Sequence, residues 1–483
     1  MSTAVAADPK PAKGGDPSLA LKDLLEKQQQ AFDRDRYPTL AERKARLDAL
    51  DRLLREKQDA IVAAIQADFV CRSRHETVIT EIMMAVGAIK HAKKHLRRWM
   101  KPVKVPVALE FKPATARIVR QPLGVVGIIA PWNYPVQLAL LPLVSVLAAG
   151  NRAMIKPSEL TPKTSQLMAE LLAEIYDEDL VAVVQGGPEV GKAFSELPFD
   201  HLIYTGSTAV GRLVMMAAAK NLVPVTLELG GKSPTIIHSS FPLHEAVKRI
   251  TFGKGFNGGQ TCIAPDYVFI DAARRDALVE GIKATYADFY PGLLENRDFT
   301  SVVNERHHQR LQGLLEDARE KGATILELNP EGADFSSAEH RMALHLVLDA
   351  TDQMEVMQEE IFGPILPILT YESMDEVVDY VNHHPRPLAL YYFDRDSGRV
   401  REMMQRTIAG MVTVNDTLTH AVIEELPFGG VGASGMGAYH GLHGFETFSH
   451  QKAVLYQSRF HALNLMNPPY GKLIERFLAF MMR

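Results

Sequence analysis

The sequence predicts an α/β protein with two lobes, each built on a parallel sheet. Short runs rich in β-branched residues alternate with helix-like segments from residue 115 onward, and this alternation is typical of parallel sheets. The first series of strands and helices ends with a strand at 225–229, and a second series begins at 235. The sequence therefore predicts two α/β lobes. The 483 residues suffice for two or three domains of ordinary size.

Before residue 115 the sequence predicts a disordered N-terminal arm followed by a helix. Residues 8–17 combine proline and glycine with lysine and aspartate. Such a composition buries nothing, so residues 1–18 are predicted to form a disordered arm. Thr39 and Glu42 form a predicted capping box at a helix start. Apolar residues then recur at helical spacing as far as Ile65, which predicts one long amphipathic helix.

The remaining elements follow in order. The most apolar segment, 136–149, is shorter than the roughly 20 residues of a membrane span, so it is predicted to be a core helix. In the first lobe, strands are predicted at 115–120, 124–130, 152–155, 181–185, 202–205 and 225–229, with helices at 163–176 and 209–220. In the second lobe, a strand at 236–237, a helix at 245–256 and a strand at 267–270 follow.

Composition and charge narrow the possible functions. The formal net charge is -5, so the electrostatics do not indicate a nucleic-acid partner. The two cysteines, Cys71 and Cys262, are too few for a disulfide framework, which favours a reducing compartment such as the cytoplasm. Residues 1–8 lack the basic and apolar regions of a secretory signal. The apolar stretch 477–482 is too short for a stable membrane anchor.

Cys262 lies in a segment of small residues, 258–265, that begins with two glycines. A thiol acts as a nucleophile when its thiolate is accessible and stabilised. Glycines leave room for a substrate carbonyl and for backbone N–H groups to approach it. The segment therefore favours a nucleophile. On its own it leaves open a buried structural cysteine, because free cysteine also packs as a small apolar residue.

Three further motifs favour the nucleophile. They are PWNYP at 131–135, LELGGKSP at 227–234 and EEIFGP at 359–364. With the Cys262 segment, and in this order along the chain, they resemble the signatures of the aldehyde dehydrogenase superfamily. The resemblance covers residues from about 20 to about 460.

The resemblance implies the aldehyde dehydrogenase-like fold, with a Rossmann-like NAD-binding lobe, a catalytic lobe and a small β arm for oligomerisation. The arm is expected to join two subunits into a homodimer. The implied divisions are an NAD-binding domain at 19–103 and 122–229, a catalytic domain at 230–425, the arm at 104–121 and 447–457, and a C-terminal tail at 458–483.

A glycine-containing turn, 206–211, follows a predicted strand and opens a predicted helix. This is the setting in which a helix N-terminus binds a pyrophosphate. Thr208 stands where the usual Gly-x-Gly-x-x-Gly turn has its middle glycine, so a simple helix-start turn stays open. The resemblance implies that Gly206, Ser207 and Gly211 belong to the dinucleotide site.

The resemblance also assigns the rest of the cofactor site. Lys156 and Glu159 match the pair that holds the adenosine ribose. Glu159 favours NAD, because a carboxylate near the 2′-hydroxyl repels a 2′-phosphate, but use of NADP stays open. Glu360 matches the glutamate that holds the nicotinamide ribose, and Phe362 matches the residue beside the nicotinamide ring. Glu359 is the competing candidate for the ribose contact. The alternative for both glutamates is a solvated pair without a role in cofactor binding. The implied cofactor contacts are thus Lys156, Glu159, Gly206, Ser207, Gly211, Glu360, Phe362 and Trp132.

The implied chemistry explains why three side chains are needed. Cys262 adds to the aldehyde to give a thiohemiacetal, hydride leaves for the nicotinamide, and water hydrolyses the thioester. Asn133 is the implied donor to the oxyanion, although an asparagine next to prolines also suits a turn. Glu228 is the implied base for hydrolysis, since burial raises the pKa of a carboxyl toward neutrality. The alternative to a catalytic role is that Glu228 forms an ion pair with Lys232.

The substrate follows from a finer resemblance. Segments 257–267, 426–437 and 439–450 are similar to the class 3 branch of the family, and most of all to bacterial coniferyl aldehyde dehydrogenases. An aromatic aldehyde such as coniferyl aldehyde, oxidised to ferulate, is therefore expected. A medium- or long-chain aliphatic aldehyde is the runner-up. A non-catalytic protein that retains the fold, or an esterase, is disfavoured by the intact set of catalytic residues.

No metal site is expected from the sequence. His91 and His95 are four residues apart on a predicted helix, but no third ligand completes the pattern. Both are predicted to face solvent.

Overall fold

Three sheets organise the chain in the computed structural model, which describes residues 17–335, 340–460 and 467–482. The predicted N-terminal arm lies outside these residues except for its last two, which begin a helix. The strands are β1 Val103–Val105, β2 Thr115–Pro122, β3 Val125–Ile129, β4 Arg152–Lys156, β5 Val181–Val183, β6 His201–Gly206, β7 Val225–Leu229, β8 Pro234–Ile237, β9 Tyr267–Asp271, β10 Thr324–Glu327, β11 His345–Leu348, β12 Ile365–Tyr371, β13 Ala389–Phe393, β14 Met411–Val414, β15 Gly435–Met436 and β16 Ser449–Tyr456.

Helices connect and cover these strands. They are α1 Pro17–Arg34, α2 Leu40–Glu56, α3 Gln58–Phe69, α4 Arg74–Thr77, α5 Met84–Trp99, α6 Gln137–Ala149, α7 Pro162–Ile175, α8 Pro188–Ser195, α9 Thr208–Ala219, α10 Leu243–Gly255, α11 Arg275–Phe289, α12 Glu305–Glu320, α13 Glu355–Gln358, α14 Met374–His383, α15 Ser397–Arg406, α16 Gly441–Thr447 and α17 Lys472–Met481. A π-helical segment, Val78–Met83, joins α4 to α5.

The first sheet has the strand order β15-β7-β6-β3-β4-β5. Adjacent strands in this sheet run parallel, except for β15, which pairs antiparallel with β7. The carboxyl ends of β3, β4, β6 and β7 therefore meet at one edge. In an open parallel sheet the ligand binds at this edge, beside the point where the strand order reverses.

The second sheet has the order β10-β11-β12-β9-β8-β13-β14. It is parallel except for the antiparallel pair β10 and β11. The predicted fold class, two mostly parallel α/β lobes with a small additional sheet, is confirmed. The sequence did not reveal that β15, far along the chain, returns to complete the first sheet next to β7.

The third sheet is antiparallel, in the order β1-β2-β16. Strand β2 pairs with β16 along its whole length, from Pro122 opposite Ser449 to Thr115 opposite Tyr456. The segments predicted to form the arm thus lie side by side. That this sheet joins subunits stays a prediction.

One contiguous apolar core extends from the first lobe into the second, and α6 lies within it. All 13 residues of α6 are buried, which explains why the helix is apolar on every side and confirms the predicted core helix. The same cluster holds Val126 and Ile128 of β3 together with Val268 and Ile270 of β9. The edges of the two sheets are therefore held in a fixed relation.

The long amphipathic helix predicted after Thr39 is wrong in one respect. Its capping box is present, with both the Thr39 and the Glu42 side chains bonded as predicted. The helix, however, ends at Glu56 and a second one begins at Gln58, because Lys57 has a non-helical ψ of 13°. The junction falls in a run of polar residues, so no buried side chain there holds a single continuous helix.

The C-terminal tail contains α17, whose Leu473 and Phe480 are exposed. Among the described residues, none of the helices combines the length and the apolar character that a transmembrane span requires.

Candidate active site

The predicted site residues of the first lobe gather at the carboxyl edge of its sheet. Strand β3 leads into the turn that carries Asn133, and β4 ends on Lys156. Strand β6 ends on Gly206, and Glu228 is the penultimate residue of β7. Parallel strands bring their carboxyl ends together, which is why residues about 100 positions apart share one site.

The Cys262 segment reaches this edge through an unusual backbone. Asn257, Gly258 and Gly259 have positive φ angles of 52°, 59° and 73°, a region that favours glycine. A Cβ on Gly259 would lie 2.4 Å from the carbonyl oxygen of Gly363. Glycine is therefore required at 259 for the cysteine segment to lie against the segment that carries Glu360.

Asn133 is tied to the cysteine segment by direct hydrogen bonds. It is 2% exposed, and its Nδ2 donates to the Gln260 carbonyl oxygen at 3.1 Å. Asn257 Nδ2 donates in turn to the Asn133 carbonyl at 3.2 Å. The hydroxyls of Tyr134 and Thr261 share a hydrogen bond of 2.7 Å. The amide has a second N–H, so it can serve the oxyanion while it stays anchored.

Glu228 is a buried carboxyl without an internal partner. It is 3% exposed, and among the described residues neither carboxylate oxygen has a hydrogen-bond partner. Burial raises its pKa well above 4.5. The alternative pairing with Lys232 is not observed, because Lys232 forms an ion pair with Asp266 and donates to the carbonyls of Val356 and Glu359. A buried polar group left unpaired is costly, so no structural pairing among the described residues accounts for the burial of Glu228.

Cys262 is half-buried, and its surroundings favour the neutral thiol. Burial raises the pKa of the thiol, and the nearby carboxylates of Glu360 and Glu228 raise it further. Hydrogen bonds from the backbone N–H groups of Cys262 and Ile263 lower it, but by less. The protein's own groups thus favour the neutral thiol over the stabilised thiolate that the segment suggested.

Glu360, and not Glu359, points into the site. A Cβ on Gly230 would lie 1.9 Å from Glu360 Oε2, so the glycine makes room for this carboxyl. Burial raises the Glu360 pKa to about 8, and the charge of Asp266 contributes. The Glu359 side chain is 61% exposed and lies 3.4 Å from Arg310.

The ring of Phe362 lies close to the same edge. Its centroid is 5.3 Å from that of Trp132, in an edge-to-face arrangement. Trp132 also makes an edge contact with His307, at 4.9 Å.

A cleft of about 800 Å³ runs from Trp132 along the carboxyl ends of the strands to α8 and α9. Lys156, Glu159, Gly206 and Ser207 line it. Lys156 Nζ donates to Glu159 Oε2 at 2.8 Å. Burial raises the pKa of Glu159, but this hydrogen bond and the lysine charge outweigh it, and the net shift is downward. A cleft with a carboxylate at one end and a helix N-terminus beside it suits a dinucleotide.

Ser207 precedes α9, and Gly211 lies in its first turns. Ser207 is the N-cap of α9, and its hydroxyl accepts from the Val210 N–H at 3.4 Å. A Cβ on Gly211 would lie 2.6 Å from Leu229 Cδ2. The glycine at 211 therefore lets the helix pack closely on β7, the strand of Glu228.

Sequence reasoning missed a buried charge network behind Asn133. Arg72 Nη1 donates to the Asn133 carbonyl at 2.7 Å and pairs with Glu81 at 3.3 Å. Glu81 Oε2 accepts from the backbone N–H groups of Val136 and Gln137. It lies in the π-helical segment, and such segments are frequent at functional sites. The only sequence signal was four charged residues, 72, 74, 76 and 81, within ten positions of the chain.

Asp266 is a second missed residue. Its Oδ1 pairs with Lys232, and its Oδ2 accepts from the Ile361 N–H at 3.0 Å. It thus joins the segments after Glu228, after Cys262 and around Glu360. The sequence shows that Asp266 lies four residues after Cys262, but it does not show its partners, which are distant along the chain.

Comparison with known proteins agrees with this arrangement. Residues 19–454 match the sequence profile of the aldehyde dehydrogenase family. A protein of Pseudomonas aeruginosa named probable coniferyl aldehyde dehydrogenase is 50% identical over 458 residues, which cover 95% of each chain. Coniferyl aldehyde dehydrogenase of Pseudomonas sp. strain HR199 is 48% identical, over 90% of this chain and 91% of the relative.

Solved structures share the fold. The substrate-bound state of Staphylococcus aureus AldH superposes with a TM-score of 0.90 at 38% identity, covering 95% of this chain and 99% of that one. Other aldehyde dehydrogenase structures of this fold hold NAD+, and a related Escherichia coli enzyme is NADP-dependent.

Proposed function

The chain belongs to the aldehyde dehydrogenase family, and we propose that this NAD(P)+-dependent oxidoreductase acts on an aromatic aldehyde, coniferyl aldehyde or a close analogue, and releases the acid. The observation that carries the mechanism is the buried Glu228 carboxyl, whose oxygens have no hydrogen-bond partner among the described residues. The identity of about half of all residues to relatives named for coniferyl aldehyde supports the substrate.

Glu228 and Cys262 act as base and nucleophile. Because the pKa of the thiol is raised, transfer of its proton to a base speeds the attack of sulfur on the carbonyl carbon. Glu228 lies close enough for its charge to raise that pKa, and its own raised pKa makes it a suitable acceptor. The Glu228 carboxyl releases this first proton to solvent while the thiohemiacetal is oxidised. The regenerated carboxylate then takes a proton from water as water attacks the thioester, and the sulfur of Cys262 leaves as the thiolate.

The lining of the cleft fits a nicotinamide dinucleotide. Lys156 and Glu159 are placed to bind the hydroxyls of the adenosine ribose, and Ser207 to face the diphosphate at the start of α9. We infer that Glu360, whose charge acts on the Cys262 thiol, and Phe362, which contacts Trp132, face the nicotinamide half of the dinucleotide. The bound dinucleotide supplies the hydride acceptor; the protein positions the substrate and excludes water around it.

Asn133→Ala is expected to lower turnover by about two to three powers of ten, because one pre-oriented donor to the oxyanion is lost. Steady-state kinetics would show a fall in kcat with a smaller change in KM. Tyr134→Phe is the matched control, since it removes only the hydroxyl bonded to Thr261 and keeps the turn. Equal losses in both variants would show that the turn, and not the amide, matters.

The substrate is tested by following the reduced-nicotinamide absorbance with coniferyl aldehyde, with hexanal and without aldehyde, each with NAD+ or NADP+. We expect the highest kcat/KM with coniferyl aldehyde. A preference for hexanal would replace the aromatic substrate by an aliphatic one, and no signal with either would contradict the enzymatic function.

We also propose that the protein acts in the cytoplasm as a homodimer joined through the third sheet. Strand β16 is at an edge of that sheet, and Leu455 and Tyr456 are 55% and 52% exposed. An exposed edge strand with apolar side chains is suited to pairing with another chain. Light scattering should give twice the chain mass of 53.6 kDa; the mass of one chain would contradict the dimer.

A further inference from the structure

His91 and His95 are not exposed on the surface of α5 as the sequence predicted. Their side chains are only 14% and 18% exposed. The two rings lie 4.5 Å apart, and His95 stacks on Trp99 at 5.9 Å. The prediction that both face solvent is wrong, because a loop distant in sequence packs over this face of the helix. The rings are held side by side in a fixed orientation.

That loop brings a carboxylate to the two rings. Glu425 Oε1 lies 3.8 Å from Nε2 of His91 and 3.8 Å from Nε2 of His95, and the three ligand atoms all lie within 4.8 Å of one another. A separation of 3.8 Å is too long for a hydrogen bond. It exceeds by a few tenths of an ångström the roughly 3.4 Å that separates two ligand atoms each about 2.1 Å from a tetrahedral zinc ion.

The His91 ring nitrogen is otherwise unused. Its Nε2 is buried and has no hydrogen-bond partner among the residues that the structure describes. The backbone at Gly441 closes over it, since a Cβ there would lie 3.2 Å from Nε2.

We propose that His91, His95 and Glu425 bind one divalent transition-metal ion, with zinc the best match, at a site separate from Cys262. Two imidazoles and a carboxylate are a ligand set that zinc accepts, with water completing the tetrahedron. The ion links α5 to the loop before β15, and β15 pairs with the Glu228 strand. Its role is to stabilise this junction; it takes no part in the oxidation.

The test uses the full chain with both thiols removed, Cys71→Ser with Cys262→Ser, so that no cysteine competes for metal. Titration with Co²⁺ should show one equivalent bound, with visible d–d absorption typical of nitrogen and oxygen ligands. Zn²⁺ should displace it and raise the melting temperature by roughly 2–5 °C. Absence of binding to this protein overturns the site.

Three variants locate the ion. His91→Gln, His95→Gln and Glu425→Gln should each weaken Zn²⁺ binding by at least about tenfold, since even outer groups of metal sites contribute that much. Glu425 is 64% exposed on a loop, so its variant tests binding without a risk to folding. Unchanged affinity in Glu425→Gln would show that the three groups are only an ion-pair cluster, and would overturn the proposal.

Two control variants test whether histidines outside this cluster bind the ion. His244→Gln, on the exposed face of α10, should bind Zn²⁺ like the parent. His340 lies 3.1 Å from Glu305 and is the competing His–Glu pair, so His340→Gln should also leave affinity unchanged. Loss of binding in His340→Gln, with retention in His91→Gln, would place the ion at that other pair and contradict the assignment.

Discussion

Cys262→Ala is expected to abolish aldehyde oxidation, with a loss on the order of a million-fold, the scale seen when a covalent nucleophile is removed. Without sulfur the thiohemiacetal cannot form, so the protein no longer generates the tetrahedral carbon from which hydride leaves. The variant should still fold, because Cys262 is half-buried and alanine is smaller. Absorbance of the reduced dinucleotide measures the loss.

Cys71→Ala is the matched control for this variant. Cys71 is the other free cysteine and is equally half-buried, with its Sγ 3.9 Å from the Arg297 carbonyl, and it has no place in the mechanism. Its replacement should leave turnover unchanged. Mass spectrometry of the parent trapped during turnover should show an aldehyde-derived adduct at Cys262; turnover retained by Cys262→Ala, or an adduct on Cys71 alone, would exclude the covalent mechanism.

The sequence predicted the parts of the site that follow from local order. Asn133, Lys156, Gly206 and Glu228 each follow or end a strand, and parallel strands collect their carboxyl ends at one edge. Their assignment to one site came from the resemblance to the aldehyde dehydrogenase family, and the shared edge of the strands explains why they converge. The strand positions of the first lobe were predictable because β-branched runs and helices alternate regularly there, whereas β10 to β14 of the second lobe were not predicted.

What sequence reasoning could not supply is pairing over long separations. The partners of Arg72 lie at 81 and 133, and those of Lys232 lie at 266, 356 and 359. Which buried charge meets which depends on packing, and no periodicity encodes it. The same limit explains the error at His91 and His95, because the residue that completes their cluster, Glu425, is more than 300 positions away.

Glu228→Gln is expected to separate the two halves of the reaction. Acylation should still give a burst of reduced dinucleotide close to one equivalent, if slower, and the thioester should then persist, because glutamine cannot take a proton from water. The steady rate should fall by about two to four powers of ten, as for loss of a general base. Rapid mixing resolves the burst, and mass spectrometry detects the acyl group on Cys262.

The raised pKa of Glu228 fixes the sign of two pH effects. Hydrolysis needs the ionised carboxyl, so in the parent the thioester should disappear faster as pH rises through that raised value, whereas the glutamine variant lacks this dependence. Stability changes in the opposite sense. A carboxyl whose pKa is raised on folding above 4.5 stabilises the fold in acid and loses this contribution as pH rises.

Glutamine has no charge to desolvate, so at pH 8 Glu228→Gln should melt at the same temperature as the parent or higher, despite its slower turnover. Glu424→Gln is the matched control, because burial also raises the Glu424 pKa, to about 7, and this residue has no catalytic role. It should keep the burst and the steady rate. If Glu228→Gln hydrolyses the thioester at the parental rate, another base is responsible. If the variant melts at a lower temperature than the parent, its slower turnover reflects damage to the fold and not the loss of a base.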